Sequence, residues 1–313
     1  MMRVGIRLLL LALLPLAGST PAMAQPPLKY VSYNILHGGA LSGLSGDAQD
    51  LDRRLELAVQ ELRLLDPDII GLQEASVNRW RGNVAARLAD ALGFHYVRGT
   101  ALFRLFPFEW FNGFVAWLMN LSEGPAIVSR FPIIDWEQYD LPRCNGWYDP
   151  RVLLYATLET PWGRVTVAST HTTRGFCEAP RVIDILQARR GLLPTVLMGD
   201  FNATEGSTAI SALIERAGFV DTFRAANPGD PGPTVWQRVY ASTPTVSRRV
   251  DFVFMMPGSE VPGRVLASRV VLNSPGRLDD GRVLWPSDHY GVFTELEVFP
   301  GSAGRDGSYS RPG

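Results

Sequence analysis

One apolar stretch of this chain ends in a carboxylate and an amide: Leu197-Met198-Gly199-Asp200-Phe201-Asn202-Ala203-Thr204. The run from Thr195 to Met198 predicts a buried strand, and Asp200 and Asn202 follow where that strand ends. Open sheets present their chemistry at strand ends. A buried carboxylate costs free energy unless something pairs with it, and a metal ion or a phosphate with its counter-ion would do so. Taken alone, the motif more often marks a plain turn.

Length and composition suit one large globular domain or two small ones, with a sizeable core. The chain has 313 residues, of which 46% are hydrophobic and 19% are charged. Its formal net charge is -1, and the charge falls to about -3 without Arg3 and Arg7. Proteins that track a nucleic-acid backbone are usually basic, so this weak acidity argues mildly against that class.

The first 24 residues have the pattern of a secretory signal peptide. Arg3 and Arg7 precede the apolar run 8–16, and Ala22-Met23-Ala24 forms a small-x-small cleavage site. The apolar run is short for a membrane span, which makes a retained anchor the weaker alternative. We therefore expect residues 1–24 to be removed and the protein to be periplasmic or secreted.

The remaining chain predicts one domain over 25–300 and a disordered tail over 301–313, which is rich in Gly, Ser, Arg and Asp. Cys144 and Cys177 are the two cysteines. After export the compartment is oxidising, so a disulfide between them is permitted. Two buried thiols are the alternative, because sequence does not show how closely the cysteines approach.

Apolar runs, alternating patterns and helical spacing divide the chain into short strands with helices between them. Strands are predicted over 28–34, 68–73, 94–97, 125–129, 152–158, 165–169, 195–198, 249–255 and 290–298. Helices are predicted over 47–66, 83–92, 179–190 and 207–217. Strands outnumber helices and pair in sequence, which favours two sheets packed face to face with helices outside.

Polar side chains recur at the ends of these apolar strands: Asn34, Glu74, His171, Asp200, Asn202, Asp251, Asp288 and His289. Each has a purely structural interpretation, such as a turn cap for Asn34 or a core histidine for His171. Asp251 is harder to explain in that way, because it lies inside an apolar run and needs a partner, usually a histidine. His289 directly precedes the last strand, and His37 follows closely on Asn34.

The set resembles the endonuclease/exonuclease/phosphatase superfamily, which contains DNase I, AP endonucleases, inositol-phosphate 5-phosphatases and neutral sphingomyelinases. The matching stretches occur in the family's order and are Ser32-Tyr33-Asn34-Ile35, Ile70-Gly71-Leu72-Gln73-Glu74, Ser169-Thr170-His171, Gly199-Asp200-Phe201-Asn202, Val250-Asp251-Phe252 and Ser287-Asp288-His289. The resemblance implies an α/β fold, the four-layered sandwich of DNase I, with two packed and mainly antiparallel sheets flanked by helices. It also implies a metal-dependent phosphoric ester hydrolase.

The family's metal-binding roles fall on three positions. Glu74 resembles the main ligand of Mg²⁺, Asn34 lies beside it, and Asp288 resembles a second metal or water contact. Hard divalent ions prefer such oxygen ligands. Mn²⁺ is the alternative ion, and the number of metal ions stays open.

The family's catalytic roles fall on five positions. Asp200 and Asn202 resemble the pair that orients the attacking water and the phosphate. His289 resembles the histidine that acts as general base or contacts the phosphate, held by Asp251. His171 resembles the second histidine, which contacts the phosphate or protonates the leaving oxygen. Either Asp200 or His289 takes the proton from water.

The site chemistry does not distinguish lipid, nucleic-acid and small-molecule phosphoesters, but the segment 101–121 offers a criterion. It carries seven aromatic residues and two charges, and Pro107 and Gly113 argue against one continuous helix. The segment either packs inward as a lid or core element, or it contacts a membrane surface. We expect peripheral membrane contact and a phosphodiester substrate with a lipid head group, as in sphingomyelinases and phospholipases C. The alternatives are a secreted nuclease of DNase I type and a catalytically silent binding module.

Five arginines fall near the predicted active face and could bind a phosphate: Arg143, Arg151, Arg174, Arg248 and Arg249. Each is about as consistent with an ordinary surface position.

Overall fold

Two six-stranded sheets form the centre of the protein in the computed structural model, which describes residues 25–37, 50–79, 81–102, 106–119, 122–144 and 150–299. The predicted signal peptide and the predicted tail lie outside the described residues. The predicted start of the first helix, at residue 47, does so as well.

The strands of the two sheets are, in chain order, β1 (Leu28–Asn34), β2 (Ile69–Gln73), β3 (His95–Arg98), β4 (Ala126–Ser129), β5 (Ile133–Asp140), β6 (Val152–Thr160), β7 (Gly163–His171), β8 (Thr195–Asp200), β9 (Val220–Asp221), β10 (Asp251–Met256), β11 (Arg264–Val271) and β12 (Gly291–Glu297). The first sheet has the order β11-β12-β1-β2-β4-β3, and the second has the order β9-β10-β8-β7-β6-β5. Within each sheet one central pair is parallel, β1 with β2 and β7 with β8, and the other pairs are antiparallel.

The helices lie between these strands in the chain: α1 (Leu51–Leu65), α2 (Val84–Leu92), α3 (Glu109–Met119), α4 (Ala179–Ala188), α5 (Thr208–Ser211), which continues as a π-helical turn over Ala212–Arg216, and α6 (Thr222–Ala226). Three two-stranded ribbons complete the described elements: Val77–Asn78 with Gly82–Asn83, Ala101–Leu102 with Ser122–Glu123, and Gly276–Arg277 with Val283–Leu284.

Helix ends follow local chemistry. The side chain of Asn83 caps α2 by accepting a hydrogen bond from the backbone of Ala86 at 3.2 Å. The same helix ends at Gly93, whose φ of 72° is a left-handed conformation that favours glycine. Helix α1 ends at Asp66, and Pro67 cannot continue it.

Three apolar layers hold the elements together. Leu62 of α1 and Leu88 of α2 pack on the outer face of the first sheet, and the inner faces of the two sheets meet around Met198. Helices α4 and α5 cover the outer face of the second sheet. A Cβ atom at Gly71 would lie 2.7 Å from the Cβ of Met198, so glycine lets the two sheets approach closely there. The predicted four-layered α/β sandwich is confirmed.

The pattern-based prediction missed three strands, β5, β9 and β11, all of which lie at sheet edges. Most side chains of β5 are exposed or half-buried, including Ile134 and Trp136. An edge strand buries little of either face, so its sequence lacks the alternation that marks a half-buried strand.

The segment 101–121 is not one continuous helix, as predicted, because α3 begins only at Glu109; the expectation that Gly113 would interrupt a helix is wrong. Helix α3 begins two residues after Pro107 and continues through Gly113. Its inward side carries the buried side chain of Asn112, which donates hydrogen bonds to the carbonyl oxygens of Phe106 at 2.8 Å and Phe108 at 3.2 Å. These bonds hold the chain that enters the helix and offset the cost of one glycine. None of the helices among the described residues has the length and apolar character needed to span a bilayer.

Candidate active site

The predicted polar positions lie together at one edge of the two sheets. Strands β1, β2, β7 and β8 present their carboxyl ends there, with Asn34, Glu74, His171 and Asp200 at or directly after those ends. Strands β10 and β12 run antiparallel to β8 and β1, so their starts lie at the same edge. The register pairs Asp200 with both His171 and Asp251. Separated segments of sequence therefore meet in one cleft.

Asn34 links the two sheets at the floor of this cleft. The floor consists of Asn34, Glu74, Asp200, Asp251 and His289. The fully buried side-chain amide of Asn34 donates one hydrogen bond to Glu74 Oε1 at 3.1 Å and another to Asp200 Oδ2 at 3.0 Å. Its Oδ1 accepts a hydrogen bond from the backbone of Leu36 at 3.1 Å. The amide thus draws two carboxylates from different sheets toward the same point.

His37 holds the side chain of Glu74. The sequence alone did not decide whether His37 belongs to the site or to an ordinary loop. Glu74 Oε2 lies 2.8 Å from His37 Nδ1 and 3.2 Å from the backbone nitrogen of His37, and Glu123 Oε2 lies 3.4 Å from the same Nδ1. Burial raises the pKa of Glu74, but the hydrogen bond and charge of His37 outweigh it, and the pKa is held well below its usual range. Burial lowers the pKa of His37, but the Glu123 charge and the Glu74 hydrogen bond raise it to about 9.

Asp251 and His289 form a buried pair on the other side of the floor. His289 Nδ1 lies 2.9 Å from Asp251 Oδ2, and His289 Nε2 points to Asp200 Oδ2 at 3.6 Å. The other oxygen of Asp251, Oδ1, is buried without a hydrogen-bond partner among the described residues. This geometry fixes the orientation of the ring and leaves Nε2 facing the cleft.

The charges of this group shift one another's pKa values. Burial lowers the pKa of His289, but the carboxylates of Asp251 and Asp200 outweigh it and hold the pKa well above its usual range. Burial and the nearby charge of Asp251 raise the pKa of Asp200 to about 7, against the opposing effect of His289. Perturbed carboxyl and imidazole groups that share a cleft are typical of sites for proton transfer.

His171 and Asn202 form the facing side of the cleft. Asn202 adopts a left-handed backbone with a φ of 47°, and its Nδ2 lies 3.0 Å from both His171 Nε2 and the carbonyl oxygen of Thr172. Asp200 Oδ1 accepts a hydrogen bond from the Asn202 backbone at 2.9 Å, which stabilises this turn. Burial, together with the charge of Arg151, lowers the pKa of His171 well below its usual range.

Asp288 lines the same cleft at a more accessible position. Its Oδ1 lies 4.0 Å from His289 Nε2, and burial raises its pKa. The preceding residue, Ser287, donates a hydrogen bond to the carbonyl oxygen of Asn34 at 2.7 Å and accepts one from the backbone of His289 at 3.2 Å. Ser287 therefore ties the segment before β12 to the end of β1.

Arg54 is a supporting residue that the sequence reasoning missed. This buried side chain of α1 donates hydrogen bonds to the carbonyl oxygens of Ile35 and Leu36 at 2.8 Å, and to that of Pro286 at 3.2 Å. It fixes the backbone beside Asn34 and the backbone before Asp288. One feature of the sequence could have identified Arg54 as a buried residue: it lies among Leu51, Leu55 and Ala58 on the apolar side of the helix.

The five arginines near the predicted face lie in different surroundings, with Arg248 in an adjoining cavity and Arg143 in a separate one beside Gln138. Arg151 and Arg174 line the cleft, whose volume is about 520 Å³, together with Trp236 and the residues described above. Arg249 does not face a ligand, because it is buried against Asp221, with N–O distances of 3.0 and 2.7 Å, and pairs with Glu205 at 2.8 Å. The hypothesis that Arg249 could bind phosphate is therefore disfavoured by the structure.

The donor set of the floor fits a hard divalent cation. Carboxylate oxygens from Glu74, Asp200 and Asp288 face one cleft, and such ligands suit Mg²⁺ or Mn²⁺. Asn34 approaches Glu74 and Asp200 through its Nδ2, while its Oδ1 accepts the hydrogen bond from Leu36. Histidine side chains form ion pairs with Glu74, Asp200 and Asp288. Ligand atoms of His37, Glu74 and Glu123 also lie within 4.8 Å of one another.

A disulfide braces two loops beside the cleft. Cys144 and Cys177 are bonded, with their Cα atoms 6.2 Å apart. The bridge joins the segment between β5 and β6 to the segment between His171 and α4. The predicted pairing is thus present in the structure, and a disulfide is consistent with an oxidising compartment.

Comparison with known proteins identifies the class to which this fold and cleft belong. The profile of the Endonuclease/Exonuclease/phosphatase family matches residues 31–289, so the chain belongs to this family of phosphoester hydrolases, as the sequence motifs predicted. Among curated proteins, no significant match to the chain was found.

Solved structures share the fold at low sequence identity. A family member from Bacteroides thetaiotaomicron is 20% identical with a TM-score of 0.67, and the match covers 88% of this chain and 99% of that one. A mannosyl-6-phosphatase from the same organism is 18% identical, with a TM-score of 0.66 and coverage of 86% and 99%. D. rerio TDP2, complexed with a single-strand DNA product, is 17% identical, with a TM-score of 0.62 and coverage of 87% and 99%.

Proposed function

We propose that this protein is an exported, Mg²⁺-dependent phosphodiester hydrolase that acts on a lipid head group. The observation that carries the hydrolase assignment is the hydrogen-bonded floor, where Asn34 joins Glu74 to Asp200 and Asp251 orients His289 toward Asp200. A structural core would not bury three carboxylates and two histidines in one solvent-connected cleft, because each buried charge costs free energy.

The proposed reaction is in-line attack of water on phosphorus. Asn34, Glu74 and Asp288 would hold the Mg²⁺ ion, which supplies neutralising charge to the non-bridging phosphate oxygens. Asp200 and Asn202 position the attacking water and the phosphate, and either Asp200 or His289 accepts the proton from that water. Asp251 holds the imidazole of His289 in the productive orientation.

His171 approaches the same oxygen of Asp200 as His289 and has a separate proposed role. Its Nε2 faces Asn202 and lies 3.5 Å from Asp200 Oδ2, so it adjoins the position of the reacting phosphate. We assign it to contact with the phosphate or to protonation of the leaving oxygen. Most of the rate enhancement is expected from positioning and electrostatic stabilisation by this fixed set of groups.

The preference for a lipid rests on the aromatic face of α3, which consists of Trp110, Phe114 and Trp117. These residues follow helical spacing, and their side chains are 73%, 50% and 41% exposed. Exposed aromatic side chains on one helix face suit the interfacial region of a bilayer. Helix α3 contacts the short strand that carries Glu123, and Glu123 contacts His37 beside Glu74. Docking of this face would thus bring the metal side of the cleft near the lipid surface.

Export is supported by two independent features. The Cys144–Cys177 disulfide suits an oxidising compartment, and the pattern of residues 1–24 predicts a signal peptide. Cell fractionation with an antibody to the chain would test this point, and a cytoplasmic protein with both cysteines reduced would contradict it.

One assay separates the candidate functions. Purified protein with Mg²⁺, with Mn²⁺ or with a chelator is offered vesicles of phosphatidylglycerol, phosphatidylcholine or sphingomyelin, single-stranded and plasmid DNA, and a sugar phosphate of the kind that the mannosyl-6-phosphatase relative acts on. We expect metal-dependent release of the phosphorylated head group from vesicles. Preferential cleavage of DNA would favour the alternative of a DNase I-like nuclease. Absence of turnover with every substrate would favour the alternative of a silent binding module.

A further inference from the structure

A second cavity adjoins the catalytic cleft, and Trp236 lies between them. The side chain of Trp236 is 47% exposed and lines both the cleft and the adjoining cavity, which has a volume of about 380 Å³. Arg174 and Asn202 also line both spaces, and Arg248 lines the second. A substrate held at the catalytic floor could therefore extend over Trp236 without leaving the protein surface.

Two arginines lie against the ring of Trp236. The Cζ atoms of Arg174 and Arg248 are 5.5 Å and 4.7 Å from its ring centre, within the range of cation–π contact. Both arginines are exposed, and no carboxylate of the described residues forms an ion pair with either. The neighbouring Arg249, by contrast, is neutralised by Asp221 and Glu205. Two adjacent positive charges thus remain available to a ligand.

The backbone holds these groups in position before any ligand binds. Val235 and Arg248 exchange backbone hydrogen bonds of 3.0 and 3.1 Å, which set Trp236 beside Arg248. The backbone of Gln237 donates to the carbonyl oxygen of Asp288 at 2.7 Å, which ties the same segment to the catalytic edge. Binding here would require little ordering of the backbone.

We propose that Arg174, Trp236 and Arg248 form a subsite for a second anionic group of the substrate, so that the preferred head group carries an acid beyond the scissile phosphate. This inference rests on the proposed lipid hydrolase function and specifies its substrate class. Guanidinium groups bind phosphate through paired hydrogen bonds, and the ring of Trp236 covers one side of the bound group from water.

The same arrangement disfavours a choline head group. Quaternary ammonium groups are recognised by open aromatic faces. Here two guanidinium groups lie against the ring, and their positive charges repel a quaternary ammonium group that approaches it. The subsite therefore selects an anionic head group over a zwitterionic one.

The test uses soluble short-chain lipids, so that surface binding does not contribute. Dihexanoyl phosphatidylglycerol phosphate, dihexanoyl phosphatidylglycerol and dihexanoyl phosphatidylcholine are compared below their micelle concentrations. Water attacks the diester phosphorus, the bond to the diacylglycerol oxygen breaks, and that oxygen takes up a proton. The phosphorylated head group is measured, which separates this cleavage from removal of the terminal phosphate.

We expect kcat/KM to be highest for the lipid with two phosphates and lowest for the choline lipid. Arg248→Gln should lower the ratio of kcat/KM between the two-phosphate and one-phosphate lipids about tenfold, because a charge-assisted contact to the second phosphate is lost. The matched control is Arg216→Gln, which removes an exposed arginine that lines neither cavity and should leave both rates unchanged. A ratio unaffected by Arg248→Gln, or a preference for the choline lipid, would overturn the proposal.

A binding measurement separates failure of the subsite from failure of the lipid function. Glycerol bisphosphate and glycerol phosphate are titrated calorimetrically onto the Asp200→Asn variant with and without Arg248→Gln. Tighter binding of the bisphosphate that depends on Arg248, without cleavage of any lipid, would support the anion subsite and reject the lipid hydrolase. Equal binding of both compounds would reject the subsite. Arg248-dependent cleavage of a single-stranded oligonucleotide without lipid cleavage would overturn the head-group assignment in favour of successive nucleic-acid phosphates.

Discussion

Asp200 and His289 lie almost fully buried at the floor of the cleft, whereas Trp236 at its edge and the aromatic face of α3 outside it are exposed. The floor is fixed by strand register and by hydrogen bonds between the two sheets. The outer groups are fixed by loops and by one helix that packs through Asn112 and Ala116. This difference suggests that the floor sets the reaction and the outer groups set the substrate, which is the usual division between a rigid scaffold and variable loops.

The largest expected effect is the removal of a floor residue. Asp200→Ala or His289→Ala should lower kcat by about 10³-fold or more, because the attacking water loses both its orientation and its proton acceptor. Steady-state kinetics on the best substrate, together with circular dichroism to verify folding, measures this effect. Asp184→Ala, which changes an exposed carboxylate of α4, is the control and should have no effect on turnover. Near-native turnover of either floor variant would refute the site assignment.

The next effect tests positioning within the floor. The carboxylate of Asp251 lies 2.9 Å from His289 Nδ1 and fixes both the orientation of the imidazole and the nitrogen that carries its proton. Asp251→Asn keeps the size of the side chain but removes this preference. We expect kcat to fall by about 10²-fold with little change in KM. If kcat and the thermal transition both stay native, Asp251 has no role in catalysis; if KM alone rises, it contributes to substrate binding instead.

Metal binding is the third test of the floor. Chelation should abolish activity, and added Mg²⁺ should restore it. Glu74→Gln should raise the Mg²⁺ concentration for half-maximal activity at least about tenfold, because a charged oxygen ligand is lost. The control is Glu215→Gln, which changes an exposed carboxylate away from the cleft and should leave the Mg²⁺ requirement unchanged. Activity that persists in chelator, or an unchanged Mg²⁺ requirement in Glu74→Gln, would exclude this role.

The floor could be predicted from sequence because its residues break a strong pattern. Asp200 ends an apolar strand, and Asp251 begins another that is buried throughout. A polar residue in such a place needs a partner, and the family motifs identified which ones. The supporting groups gave weaker indications. Arg54 lies in a helix where most arginines are solvated, and Glu123 belongs to a two-residue strand with no pattern of its own.

The outer regions were less predictable for a related reason. Helix α3 has an exposed apolar side, so its composition resembles that of a buried segment, and Gly113 suggested a break that the packing of Asn112 overcomes. The pairing of Trp236 with Arg174 and Arg248 joins residues far apart in sequence. No local pattern encodes such a contact, because it depends on how the loops after β7 and before β10 are folded.

The smallest expected effect concerns the exposed aromatic face of α3, outside the cleft. Replacing Trp110, Phe114 and Trp117 together with serine should lower binding to vesicles, and turnover on them, about tenfold, because the aromatic face no longer enters the interface. Turnover of a soluble short-chain lipid should remain native, since these side chains do not line the catalytic cleft. The matched control replaces Ile134, Trp136 and Leu192, which are exposed on other elements, and should leave vesicle binding intact.

Vesicle sedimentation and paired kinetics on both substrate forms measure the two effects. An equal loss on vesicles and on soluble lipid would mean that α3 supports the floor rather than the membrane contact. No loss on either would remove the main structural argument for a lipid substrate.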